Sequence, residues 1–187
     1  PLEHPIVRCA LTGIRRLALR FRVTDSRSAR LWDFGWFDLS RFEIGGAVVE
    51  RQDCSIVLRE VFRDPISRRS FCDPGLWGAD VDRHGPLLRT ERVFDLFRPV
   101  SVSELARRVR AALDDRRFRE GPSVEQRATV EAWIGEITSR GDETFALTES
   151  PRASDVVDWH WVWTHYHEFI CVSPDRAELS VAVIGYD

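Results

Sequence analysis

Lysine, asparagine and methionine are missing from this 187-residue chain, so all 27 of its basic Lys/Arg side chains are arginines. Without Lys there is no Walker A phosphate loop, whose Lys must reach the β- and γ-phosphates, and no Schiff-base catalysis, which needs an amine. The three absences together read as the codon usage of a very GC-rich bacterial genome rather than as selection for arginine chemistry. No G-x-G-x-x-G follows a strand-like run, and no G-x-S-x-G nucleophile elbow is present. Cys9, Cys54, Cys72 and Cys171 stand far apart with no C-x-x-C pair, which excludes zinc-ribbon and thioredoxin spacing. None of them sits in a papain-like or phosphatase-like setting, and the His-x-Glu with Pro-Cys-x-x-Cys pattern of zinc deaminases is absent. No stretch approaches the ~18 apolar residues of a membrane span, and no apolar run near Pro1 resembles a secretory signal. Four reduced thiols in a cytoplasm are the expectation. The lack of Met at position 1 places the expected native start outside this numbering.

What remains is a composition of ordinary globular type, 43% hydrophobic and 30% charged. A chain of this length forms one domain and buries roughly 70% of the surface its unfolded form exposes. The net charge of −3 is unevenly divided. Residues 142–187 hold nine Asp/Glu against two Arg, a net of −7, and residues 1–141 hold 25 Arg against 21 acids, a net of +4. Such a split predicts an acidic face suited to a basic partner.

Hydrophobic periodicity predicts an α+β fold, with an antiparallel sheet formed by an N-terminal meander and a C-terminal hairpin and packed against two helices. Residues 1–62 read as strands: Ile14 to Val23, a loop at Asp25 to Ser28, Leu31 to Phe37, Phe42 to Glu50 and Cys54 to Phe62. Residues 63–98 lose periodicity and read as an irregular region punctuated by Asp64-Pro65, Asp73-Pro74-Gly75 and Gly85-Pro86. Residues 101–140 carry two helices, each opened by a capping box: Ser101-Val-Ser-Glu104, running to about Phe118, and Ser123-Val-Glu-Gln126, running to about Arg140. Gly141 suits a left-handed helix end. Residues 144–187 return to strands, with a tight turn at Ser173-Pro-Asp-Arg176 before Glu178 to Ile184.

The densest chemistry lies in Val156 to Val172, which holds three of the seven Trp and three of the five His. Period 2 puts Trp159, Trp161, Trp163, His165, His167, Phe169 and Cys171 on one face of a strand, and Tyr166, Glu168, Ile170 and Val172 on the other. His165 and His167, two apart on one strand face, could present both imidazoles to one metal. The pattern resembles the first half of a cupin metal motif, but Glu168 is adjacent rather than several residues on, and no second His-bearing motif follows. Aromatic anchors for a protein partner would be Trp159, Trp161, Trp163 and Tyr166, with Asp175 and Glu178 as exposed acids beside the hairpin turn. Arg107, Arg108, Arg110, Arg116, Arg117 and Arg119 load the first helix with positive charge. Interleaved Glu104, Asp114 and Asp115 favour a solvated face over a nucleic-acid surface.

The closing pattern from Asp158 to Ile170, with Ser173-Pro-Asp175 and a terminal hydrophobic strand, is similar to the endings of uncharacterised proteins from high-GC actinobacteria. By physical type, a small acidic α+β protein without catalytic motifs, the chain resembles the immunity proteins of polymorphic toxin systems. That resemblance implies a non-enzymatic cytoplasmic inhibitor that occludes a protein partner, with no cofactor, and it assigns no residue roles. The alternatives are a metal-binding protein or metal-dependent enzyme built on His165 and His167, and a structural subunit of a larger assembly.

Overall fold

The sheet is organised by its most apolar segment. Glu178–Tyr186 (β8) is buried at every residue after Glu178, and an extended strand buried on both faces needs a hydrogen-bonded neighbour on each side and a layer over each face. The structure, a computed structural model, describes residues 19–32, 35–46, 54–64, 83–88, 93–115, 121–148, 156, 165–175 and 177–186. β8 lies between Gly35–Gly45 (β2) and His165–Val172 (β7), antiparallel to both. Arg20–Trp32 (β1) extends the sheet beyond β2, and Glu143–Leu147 (β6) and Phe97–Val100 (β5) extend it beyond β7. The result is a six-stranded antiparallel sheet in the order β1-β2-β8-β7-β6-β5.

Val102–Leu113 (α2) and Val124–Thr138 (α3) cover one face. Their apolar stripes, Leu105, Val109, Ala112 and Leu113 with Val130, Ile134 and Ile137, pack on Phe37, Leu39, Phe169, Ala182 and Ile184. The opposite face carries Phe42, Ile170, Val172, Leu179, Val181 and Val183 and is covered by Cys54–Arg63 (α1). Arg83–His84 (β3) and Leu87–Leu88 (β4) form a small separate hairpin, and Val93–Leu96 is a 3-10 turn leading into β5. Among the described residues no helix is long and apolar enough to cross a membrane.

Several sequence expectations are corrected. Cys54 to Phe62 is a helix, not a strand. Its buried residues Cys54, Val57, Leu58, Val61 and Phe62 fall at i, i+3, i+4, i+7 and i+8, and Ile56, which alternation would bury, is 44% exposed. The expected α+β class stands, with the N-terminal meander present as the β1–β2 hairpin, and α1 is a third helix on the sheet. Asp25 to Ser28 is not a loop. β1 runs through it with a register shift between Val23 and Asp25, and as an edge strand it tolerates polar residues paired with Arg41, Ser40, Leu39 and Asp38. Leu31–Phe37 falls across the end of β1 and the start of β2, and Phe42–Glu50 across the end of β2, which stops at Gly45; residues 14–18 and 47–50 of the expected strands lie outside the described residues. Within the described part of 63–98, α1 reaches Arg63, and β3, β4, the 3-10 turn and the start of β5 are regular elements, while 65–82, with Asp73-Pro74-Gly75, and 89–92 lie outside the described residues. α2 ends at Leu113 rather than near Phe118, and α3 ends at Thr138, with Gly141 in the left-handed region at φ 73°.

The two helix starts also differ. At α3 both halves of the box close: the Ser123 hydroxyl oxygen accepts from Gln126 N, and the Ser123 amide donates to Gln126 Oε1. At α2 the Ser101 oxygen accepts from Glu104 N, but the Glu104 carboxylate takes Arg107 and Arg108 instead of reaching back. Those two guanidiniums, Arg107 foremost, hold Glu104 down at about 2. Ser123→Ala removes one half of a closed box and should lower stability by about 1 kcal/mol. Urea unfolding reads this as a lower midpoint at unchanged slope; an unchanged midpoint would mean that the box adds nothing.

Candidate functional site

β7 divides its side chains as alternation requires. His165, His167, Phe169 and Cys171 face α2 and α3, while Tyr166, Glu168, Ile170 and Val172 face α1. The two half-buried His are gathered by Tyr186 of β8. Its ring stacks on His165 with centroids 4.5 Å apart and planes 20° apart, and lies 6.2 Å from His167. The Tyr186 hydroxyl donates to Asp115 Oδ2 at 3.4 Å, just past the end of α2. Among the described residues no group of three or more His, Cys, Asp or Glu is placed to hold a metal ion. Cys171, on the same face, is fully buried and accepts from Thr144 Oγ1 at 3.7 Å; burial pushes its thiol up to about 12, which keeps it protonated and a poor ligand. Trp159, Trp161 and Trp163 lie outside the described residues, as do Cys9 and Cys72, and Cys54 and Cys171 are buried thiols.

Across the sheet sits a cluster that the sequence reading did not single out. Glu168 projects into the apolar layer under α1 with its side chain 0% exposed, where an ionised carboxylate requires strong partners. His84 Nε2 donates to Glu168 Oε1 at 2.6 Å, and Tyr166 Oη donates to Oε2 at 3.0 Å, so each oxygen has its donor. Phe62 of α1 meets the His84 ring edge-on at 4.8 Å. Gly85, at φ 53°, brings the hairpin backbone against the Tyr166 ring, and buried Leu87 bridges to Val156. A His-Glu couple is the usual raw material of acid–base catalysis. Here both members are about 1% exposed, and the couple fastens the β3–β4 hairpin onto the sheet. One signal was legible: Glu168 shares its face with Ile170 and Val172, and a carboxylate in an apolar row demands a partner. The partner could not be read, because His84 lies 84 residues away in a stretch without periodicity.

The acidic candidates meet at the opposite end of the sheet. Asp175 is exposed and holds the β7–β8 turn: its Oδ1 accepts from Ser173 Oγ at 2.5 Å and from Ala177 N at 3.0 Å. Those two donors, the Ser173 hydroxyl first, keep its carboxyl below the ordinary Asp range. Glu178 stands directly opposite Glu43 of β2, a like-charge pairing that is offset on each side. Arg22 pairs with Glu43, and Arg140 Nη2 reaches Glu178 Oε2 at 2.9 Å. Exposed Glu143 opens β6 beside them, and Arg176 of the turn is outside the described residues.

Behind Arg140 lies Asp142, its side chain 1% exposed and neither oxygen holding a hydrogen bond; Arg140 Nε is 3.5 Å from Oδ1. Burial raises its pKa, Arg140 opposes the rise, and Glu178 and Asp175 add to it. Sequence reading found Asp175 and Glu178 from the turn motif but passed over Asp142, which adjoins Gly141 with no apolar pattern to mark it as buried.

Compared with protein-family models, with curated proteins and with solved structures, the chain matches none of them.

Two outcomes follow from this geometry. A Cβ at residue 85 would lie 2.8 Å from Tyr166 Cζ and closer still to its hydroxyl, on a backbone with positive φ. Gly85→Ala should therefore cost roughly 2–4 kcal/mol, the sum of left-handed strain and overpacking, and thermal or urea unfolding measures it. A cost within experimental error would show that the hairpin does not need this close approach. For Asp142 the folded-state pKa is raised, so the folded protein binds its proton more tightly than the unfolded chain does. The penalty is complete above the folded pKa and fades as pH falls toward the unfolded value of ~3.9. Asp142→Asn should raise the melting temperature at neutral pH, with the gain shrinking on acidification. A variant less stable than the parent at neutral pH would reverse that sign.

Proposed function

We propose that this chain is a non-enzymatic binding protein that occludes a basic protein partner through the acidic end of its sheet, in the manner of an immunity or inhibitor protein of the cytoplasm. The observation that carries the reading is the crowding of Glu43, Glu178, Asp175 and Glu143 at the β2, β7–β8 and β6 ends, all solvent-facing. Placing Glu178 directly across from Glu43 works against the sheet, and two arginines only partly offset it. An anionic surface of this kind accelerates encounter with a cationic partner and rejects anionic ones. The turn is stiffened by the Asp175 bonds and by Ile44 N donating to Ala177 O at 2.8 Å, so its charges are held in place before contact. The buried thiols of Cys54 and Cys171 suit a reducing compartment.

The test is association kinetics. Asp175 is left intact because its carboxylate holds the turn, and Glu143→Arg with Glu178→Arg reverses the surface charge instead. Immobilised parent protein captures a basic partner from host extract, and the rates for parent and variant are then measured on that partner. The expected result is an association rate at least about tenfold lower for the variant at low salt, converging with the parent as salt rises, and a dissociation rate changed much less. Equal association rates at low salt would sink the reading.

A further inference from the structure

We infer that Asp142 and Glu178 form a cradle for a guanidinium group of the partner, and that Arg140 is the internal stopper which occupies it in the free protein. This deepens the proposed function and rests on its basic partner. Among the described residues of the acidic end, Asp142 is the one whose carboxylate is buried, at 6% exposure, and both of its oxygens lack a hydrogen-bond donor. A buried carboxylate is normally saturated with donors, and guanidinium groups bind carboxylates best through paired bonds of about 2.7–2.9 Å.

Arg140 does not provide this. Its Nη2 is committed to Glu178 at 2.9 Å, and its Nε stops 3.5 Å short of Asp142. The Arg140 side chain is 25% exposed and Glu178 is 57% exposed, so solvent reaches the stopper and one wall of the cradle while Asp142 forms the floor. Arg140 lies beyond the end of α3, next to Gly141 with its left-handed backbone, so its side chain can leave without disturbing a helical hydrogen-bond ladder. The carboxylate of Asp175 and the Thr144-bonded thiol of Cys171 also lie near Asp142, and neither donates to it. A partner arginine entering in place of Arg140 would exchange one long contact for a paired one and bring its charge to the most desolvated acid of the surface, where such a pair counts most.

The test needs no partner. Arg140→Ala and Arg140→Gln leave the cradle unstoppered, and melting is followed at about pH 8, above the carboxylate range, in millimolar methylguanidinium chloride against the same concentration of sodium chloride. Both variants should melt below the parent and recover selectively with methylguanidinium, while the parent responds little. The double variants Arg140→Ala/Asp142→Asn and Arg140→Gln/Asp142→Asn should show no selective recovery. Absence of a selective rise in both single variants, or an equal rise in the double variants, overturns the cradle. Should one single variant fail to fold, the other with its own double variant decides. A failed rescue alongside a preserved effect of charge reversal on association removes the cradle and leaves the binding surface standing. A successful rescue with no effect of charge reversal does the opposite.

Discussion

The described fold is arranged around a strand whose residues after Glu178 are all closed to water. β8 is hydrogen-bonded along both edges and buried on both faces from Leu179 to Tyr186. That forces a helix pair onto one side of the sheet and α1 with the β3–β4 hairpin onto the other. β7 beside it is buried from Glu168 to Val172, and its polar side chains are answered from the layer above or from neighbouring strands. Glu168 is answered by His84 from the hairpin, Cys171 by Thr144 from β6, and His165 by the Tyr186 ring of β8 itself. The polar contents of the core are therefore consequences of its apolar geometry.

Sequence patterning reached some elements and not others for identifiable reasons. α2, α3, β6, β7 and β8 were legible because each has a consistent period and a punctuated end: Ser101, Ser123, Gly141 and the Ser173–Arg176 turn. α1 was misread because Cys54, Leu58 and Phe62 fit a spacing of two or of four equally well, and only Val57 and Val61 separate the two readings. β1 was cut short because its central Asp-Ser-Arg-Ser has the composition of a loop. At a sheet edge, where one side chain row is solvated, composition loses its force. The hairpin around Gly85 was invisible, since two-residue strands have no measurable period and their stability is supplied by Tyr166 and Glu168 from far along the chain.

The same limit separates the two candidate sites. Asp175 and Glu178 could be placed at an exposed turn because turn chemistry is local. Whether an acid is buried depends on what lies over it, which is why Glu168 and Asp142, the two buried carboxylates among the described residues, are not legible as such in the sequence. Their environments then diverge. Glu168 receives a donor for each oxygen and becomes a fastening, whereas Asp142 is held by one long ion pair and keeps unused accepting capacity. Burial alone does not decide whether a carboxylate is structural; the tally of its donors does.

The pairing of β2 with β8 has a consequence for how the chain comes to be folded at all. Gly35 sits across from Tyr186, about 150 residues downstream, so the β1–β2 hairpin has one edge with no described partner until the last strand has been made. Ordering that contact closes the longest loop in the sheet, a step whose entropy must be met before the core repays it. Synthesis makes β1 and β2 well before β8, the strand that β2 pairs with and that completes the cover of Phe37, Leu39 and Phe42. The edge strand of the hairpin, β1, carries Arg20, Arg22, Arg27 and Arg30, a density of like charge that discourages two nascent chains from pairing through their hairpins. In the folded chain two of the same arginines are also engaged, Arg22 with Glu43 and Arg27 with Glu136, so one charge pattern serves both before and after the sheet closes.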